Sequence, residues 1–176
     1  VNLSINFDKV LLKSPWSGSG KGIQPLKGMP DENLKGWTRR IISTQGGVVC
    51  EPYYNKVLDF AMEFYVAHGS IECVGYSLFE TDSRGIYKGN CLAANEEIER
   101  RLSVYINPEI LGRTRNALMQ ELLKLADGIY QGYLGVDMMV VHNADGYALH
   151  PCVEVNWRMN MGVVSRLFHD RFVAAG

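Results

Sequence analysis

Strand-length apolar runs broken by glycines and turn dipeptides dominate the chain, and one longer helical stretch stands out among them. Phe7 to Lys13 (FDKVLLK) reads as a short strand that stops at Ser14-Pro15. A loop of small residues follows from Ser17 to Gly22, and Pro30 to Thr44 reads as a short helix. Gln45-Gly46-Gly47 breaks the chain before a second strand, Val48 to Glu51. Leu58 to Val66 and Cys73 to Phe79 are apolar runs separated by His68-Gly69-Ser70, the pattern of two more strands. Asp82 to Gly85 reads as a turn that returns through Ile86 to Lys88. Asn90 to Asn107 is polar and mixed, with a short helix expected around Glu96 to Leu102.

Asn107-Pro108 opens the clearest helix, since proline suits the first helical position and asparagine caps it. Leu111, Leu118, Leu122, Leu125 and Ile129 recur at helical spacing to about Tyr130. Residues 135 to 158 read as a hairpin, and Ser165 to Val173 as the start of a last helix. Hairpin-linked strands with few helices between them predict an α+β fold with antiparallel sheets.

The hairpin carries the most informative residues. Pro151-Cys152-Val153-Glu154-Val155-Asn156-Trp157-Arg158 sets a carboxylate, an amide and a guanidinium at alternate positions of an apolar run, before a glycine turn at Gly162. On a strand, Glu154, Asn156 and Arg158 would share one face. Oxygen donors beside a cation suit a magnesium-bound polyphosphate. Asp-Gly between apolar runs is a strong hairpin signal. A two-residue turn at Asp145-Gly146 would set Asp137 opposite Glu154, with Asn156 diagonal to it. Pro151 weighs against a regular ladder, and a one-residue bulge there would separate these donors. An ordinary solvent-facing hairpin with scattered polar residues is the alternative.

Composition narrows the class. A chain of 176 residues forms one compact domain or two small lobes, and buries roughly 70% of its unfolded surface. A hydrophobic content of 47% and a net charge of −1 describe a soluble protein with no basic surplus for nucleic acid or a membrane surface. No apolar stretch approaches the roughly 18 residues of a spanning helix. Cys50, Cys73, Cys91 and Cys152 lack metal-ligand spacing and read as reduced, mostly buried thiols, which predicts a cytoplasmic protein. His68, His142, His150 and His169 are not clustered in sequence.

The glycine loop fits neither familiar phosphate pattern. Gly20-Lys21 has Pro15 where a Walker A loop needs glycine and Gly22 where it needs a hydroxyl. Gly18-x-Gly20-x-Gly22 is not a dinucleotide fingerprint either. What remains is a loop with free N–H groups, serines and a lysine, suited to folding over phosphates or simply to turning the chain. Lys13 ends the strand before it; Glu51 ends another strand, with Asp59 eight residues on.

In this order, the residues resemble the ATP-grasp superfamily, from about Lys9 to Ser165. Glu154-Val155-Asn156-Trp157-Arg158 looks like its E-x-N-x-R motif, and Asp137 like the acid on the preceding strand. The resemblance implies two lobes of mainly antiparallel sheet with helices and a nucleotide between them. Residues 1–50 would form the small lobe and 51–176 the large one. It also implies Mg2+ (or Mn2+) held by Asp137, Glu154 and Asn156, with Arg158 stabilising the transferred phosphoryl group. Lys13 would face the α-phosphate, and Ser17, Gly18, Ser19 and Gly20 would close over the β- and γ-phosphates. Glu51 to Tyr54 would hold adenine through the backbone, Asp59 the ribose, and Lys88 further phosphate. Trp157 and Met139 would be packing residues. The implied activity is an ADP-forming ligase that activates a small-molecule carboxylate as an acyl phosphate for attack by an amine or thiol. A non-catalytic nucleotide-binding module and an ATP-grasp kinase are the other classes. The family's N-terminal domain and an earlier lysine strand are not matched, so activity is expected of a longer protein.

Overall fold

The computed structural model describes residues 8–17, 22–82 and 85–174. Two compact units emerge, Val1–Tyr54 with Thr81–Tyr87, and Asn55–Glu80 with Lys88–Gly176. Among the described residues, no helix is long and apolar enough to cross a membrane.

In the first unit, β1 (Lys9–Lys13) lies between β2 (Ile23–Lys27) and β3 (Val49–Pro52), both antiparallel to it. The apolar pattern does not predict β2, because Pro25 interrupts it; as an edge strand β2 has a free side on which the missing N–H costs no ladder bond. Helix α1 (Glu32–Gln45) starts where the Asp31 carboxylate accepts the Leu34 N–H at 2.7 Å. It ends at Gly46, whose left-handed backbone (φ 83°) returns its N–H to the Ile42 carbonyl.

The second unit is built on a five-stranded antiparallel sheet. Its strands are β4 (Lys56–Ala67), β5 (Ser70–Thr81), β6 (Tyr87–Cys91), β7 (Gly132–Asn143) and β8 (Gly146–Asn156), in the order β6-β5-β4-β7-β8. The β4–β5 turn uses His68 (φ 50°) and Gly69 (φ 72°). Two successive positive φ angles match the right-handed twist of the paired strands.

Alternation divides the sheet into two faces. Phe60, Met62, Phe64 and Val66 of β4 and Leu134, Val136, Met138 and Val140 of β7 form a buried apolar face. Two helices supply its cover, Ile98 and Leu102 from α2 (Asn95–Leu102) and Leu111, Leu122 and Ala126 from α3 (Pro108–Ala126). α3 is shorter than its leucine spacing predicts. Asp127 leaves helical geometry and Gly128 is left-handed, so Ile129 lies beyond the helix, 85% exposed, and Leu125 faces solvent.

The other face is mixed and carries Asp59, Glu63 and Asp137 beside Ala61 and Met139. Helix α4 (Met161–Phe168) begins four residues before the predicted start, because Asn160 caps it by accepting the Val163 N–H at 3.0 Å. Gly162, expected in a turn, is therefore helical. A π-helical turn, His169–Val173, extends α4. Arg166 is buried and anchors the helix by donating to the Ala93 carbonyl at 2.7 Å and pairing with Asp170. The cysteines are free thiols, but Cys50, Cys73 and Cys91 are only half-buried and Cys152 is exposed.

Phe64 is fully buried in the apolar face, so Phe64→Ala is expected to destabilise the protein by about 3–5 kcal/mol in urea denaturation.

Candidate functional site

The site begins with the register of β7 against β8. Asn143 pairs with Gly146, so the turn residues are Ala144 and Asp145 and not Asp145-Gly146. The Asn143 side chain stabilises the turn by accepting the Asp145 N–H at 2.9 Å. From there the ladder runs regularly to Met139 opposite His150. Continued unbroken, it would set Asp137 opposite Cys152.

The ladder breaks at Pro151. Between the pairs Met139–His150 and Asp137–Glu154, β8 carries Pro151, Cys152 and Val153 against Met138 alone. Two additional residues shift the register by an even number, so the side chains return to their original faces. The one-residue bulge considered from sequence would have reversed them. Asp137 therefore does stand opposite Glu154, through a different turn and a wider bulge than the pattern predicts.

Asn156 pairs with Gly135 and lies diagonal to Asp137, to which its amide donates at 3.1 Å. β8 ends there, so strand alternation does not place Arg158. A tight turn does, with the Arg158 N–H donating to the Asn156 carbonyl at 2.8 Å. Its guanidinium donates to the Asn156 side-chain oxygen at 3.1 Å. Trp157 packs edge-on against Tyr130, with ring centroids 5.2 Å apart.

Negative charge is crowded around Asp137. Burial pushes its pKa up to about 7, the Glu154 and Glu63 carboxylates add to the rise, and the Asn156 amide opposes it. A divalent cation would offset this crowding of negative charge. Two opposed carboxylates and an amide are hard oxygen donors that fit magnesium. Turning the Asn156 amide over would present its oxygen on the Asp137 side. Among the described residues there is no cluster of three or more His, Cys, Asp or Glu with metal-binding geometry, so the amide is needed to complete this set.

The other predicted residues are placed as follows. In the first unit, Lys13 ends β1 and is ion-paired with Glu51 across the strand pair. Ser17 donates to the Ser14 carbonyl at 3.3 Å, and the Ser14 N–H closes the base of the loop on the Gly22 carbonyl at 3.0 Å. Gly18, Ser19 and Gly20 lie outside the described residues. Tyr54 is half-buried at the end of this unit. In the second unit, Asp59 pairs with Lys56 and stands on β4 opposite Met139. Lys88 lies on edge strand β6 with Glu80 3.2 Å away, separated from β7 by β5 and β4.

Glu63 is the residue the pattern passed over. It sits inside the apolar run of β4, yet alternation puts it on the mixed face opposite Gly135. It is fully buried; the Ser77 hydroxyl donates to it at 2.8 Å and the Asn160 amide at 2.9 Å. Burial pushes its carboxyl up, and these two hydrogen bonds draw it back. An acid in phase with Asp59 and out of phase with Phe60, Met62 and Phe64 was the available signal.

The fold is similar to that of several solved ATP-grasp enzymes. A biotin carboxylase from Campylobacter jejuni, solved with β-γ-ATP, matches with a TM-score of 0.60 and 18% identity over 93% of this chain and 34% of its own. D-alanyl-alanine synthetase A from Vibrio cholerae matches with a TM-score of 0.61 and 12% identity, over 94% of this chain and 49% of its own. N5-carboxyaminoimidazole synthetase from Staphylococcus aureus, complexed with ADP, gives a TM-score of 0.55 and 16% identity over 86% and 35%. The chain thus spans between a third and a half of these proteins. No family model matches the sequence, and neither does any curated protein.

The Asp137 shift has a defined pH signature. Its folded-state pKa of about 7 exceeds the ordinary 3.8, so the protonated carboxyl favours the folded state. That contribution is complete below 3.8 and is lost as pH rises through about 7. Thermal melts in EDTA are expected to show Asp137→Asn gaining stability relative to the native protein across this window. Magnesium at alkaline pH is expected to raise the melting temperature of the native protein and leave that of the variant almost unchanged.

Proposed function

We propose that this chain is the nucleotide- and metal-binding core of an ATP-dependent, ADP-forming ligase that activates a small carboxylate for attack by an amine or thiol. The opposition of Asp137 and Glu154, with Asn156 and Arg158 attached to the same pair of strands, carries this reading. The ATP-grasp backbone supports it.

Asp137, Glu154 and Asn156 would hold one or two magnesium ions, with manganese as a substitute. Bound magnesium supplies charge neutralisation along the polyphosphate. Arg158 would orient the transferred phosphoryl group through charge-assisted hydrogen bonds and remain on the oxygens of the resulting acyl phosphate. The incoming amine or thiol then displaces phosphate, so no covalent enzyme nucleophile is required.

The nucleotide-facing residues proposed in the first unit are Lys13, the loop bearing Ser17, Gly18, Ser19 and Gly20, and the Glu51 to Tyr54 segment. Lys13 would exchange its Glu51 carboxylate partner for phosphate. In the second unit, Asp59 would accept a ribose hydroxyl, and Lys88 would reach phosphate after leaving Glu80.

The direct test is calorimetric titration of AMP-PNP, with and without magnesium, into the native protein and the Glu154→Ala/Asn156→Ala variant. Magnesium-dependent binding is expected, and the double substitution is expected to abolish it. Binding of equal strength in the variant would contradict the site. For turnover, ADP formation coupled to a new amide or thioester bond is expected; a phosphorylated acceptor would reassign the activity to a kinase.

A further inference from the structure

Glu63 and Asn160 stand outside the proposed ligand set, yet they are hydrogen-bonded to each other, and Glu63 is fully buried. Glu63 is fully buried on β4, and each carboxylate oxygen receives one donor, from Ser77 and from Asn160. The Asn160 amide is used at both ends: its nitrogen donates to Glu63 and its oxygen accepts the Val163 N–H of α4. It cannot turn over without losing both bonds.

The chamber is shaped for this contact. A Cβ at Gly135 would overlap the Asn160 amide and the Glu63 carboxylate. A Cβ at Gly162 would overlap Glu63 and the Ser77 hydroxyl. Two glycines, one on β7 and one in the first turn of α4, thus let the backbone close around the carboxylate.

The consequence concerns Trp157, Arg158 and Met159, the link from β8 to α4. At one end, Asn156 fastens this link to Asp137. At the other, Asn160 fastens it to Glu63. We infer that Glu63 and Asn160 are positioning residues, a buried clamp that fixes the Trp157–Met159 link and so holds the Arg158 guanidinium beside the Asp137–Glu154–Asn156 donors. The functional part of this inference rests on the reading proposed above; the mechanical part does not.

Exchanging the two functional groups tests the clamp. Asn160→Asp keeps an oxygen for the helix cap but turns a carboxylate towards Glu63, which breaks the link by repulsion. Adding Glu63→Gln restores a donor for Asp at 160 and leaves an oxygen for the Ser77 hydroxyl. Glu63→Gln alone is tolerated, because the Ser77 hydroxyl can accept from the new amide.

Two quantities are read in the intact protein, amide hydrogen exchange across residues 156–163 and the affinity for AMP-PNP with and without magnesium. Asn160→Asp is expected to speed exchange in that segment and to weaken magnesium-dependent binding by about tenfold or more. Magnesium-free binding is expected to stay unchanged, and the double variant to regain native behaviour in both readouts. A folded Asn160→Asp protein with native exchange in this segment, or a double variant that fails to recover, overturns the inference. A melting temperature that falls while magnesium-dependent affinity holds also overturns it, because the clamp would then be structural only. If the native protein binds no magnesium nucleotide, the ligase reading fails, and the exchange measurement still decides the clamp. Should Asn160→Asp not fold, Asn160→Ser retains a cap but is too short to reach Glu63. It is expected to show the same faster exchange, and native exchange there overturns the inference.

Discussion

Two carboxylates held face to face across β7 and β8 are the constraint around which the second unit is organised. Like charges directly opposed on a strand pair destabilise it, and burial makes the cost higher for Asp137. The sheet tolerates the arrangement because α2 and α3 cover its apolar face. Packing on one side stabilises a polar concentration on the other. The same alternation that buries Phe60, Met62 and Phe64 delivers Asp59 and Glu63 to the face of Asp137.

The wide bulge at Pro151 makes this possible. Proline cannot continue the ladder, and the two additional residues of β8 are absorbed there. An odd insertion would have sent Glu154 and Asn156 to the apolar face, exchanging donors for core positions. Parity therefore matters more than the local regularity of the hairpin, and it links the backbone of residues 150–154 directly to the donor chemistry.

Much of this was legible in the residues because the governing periods are short. Alternation in Glu154 and Asn156 and the capping signal at Asn107-Pro108 both follow from local rules. Other features depend on competition that local pattern does not record. Asp145-Gly146 looked like the turn, but the Asn143 side chain stabilises a turn one residue earlier. β2 escaped notice because Pro25 is acceptable only at an edge, and edge position is a property of the sheet. Leu125 keeps helical spacing but lies off the face that Leu122 and Ala126 bury, and Ile129 lies beyond the helix end. Glu63 was hidden by its apolar neighbours, and Asn160 by its place in an apparent glycine turn. The Asp137–Glu154 pairing was inferred from the wrong turn and a regular ladder, two errors that cancelled.

Manganese, a paramagnetic substitute for magnesium, gives the most direct test of the central claim that Asp137, Glu154 and Asn156 form one metal site. With Mn2+ and AMP-PNP added to isotopically labelled protein, the backbone signals of Val136, Asp137 and Val155 are predicted to broaden first, while those of His68 and Gly69 in the β4–β5 turn persist. Strong broadening elsewhere with these three signals intact, or no broadening at all, would contradict the account.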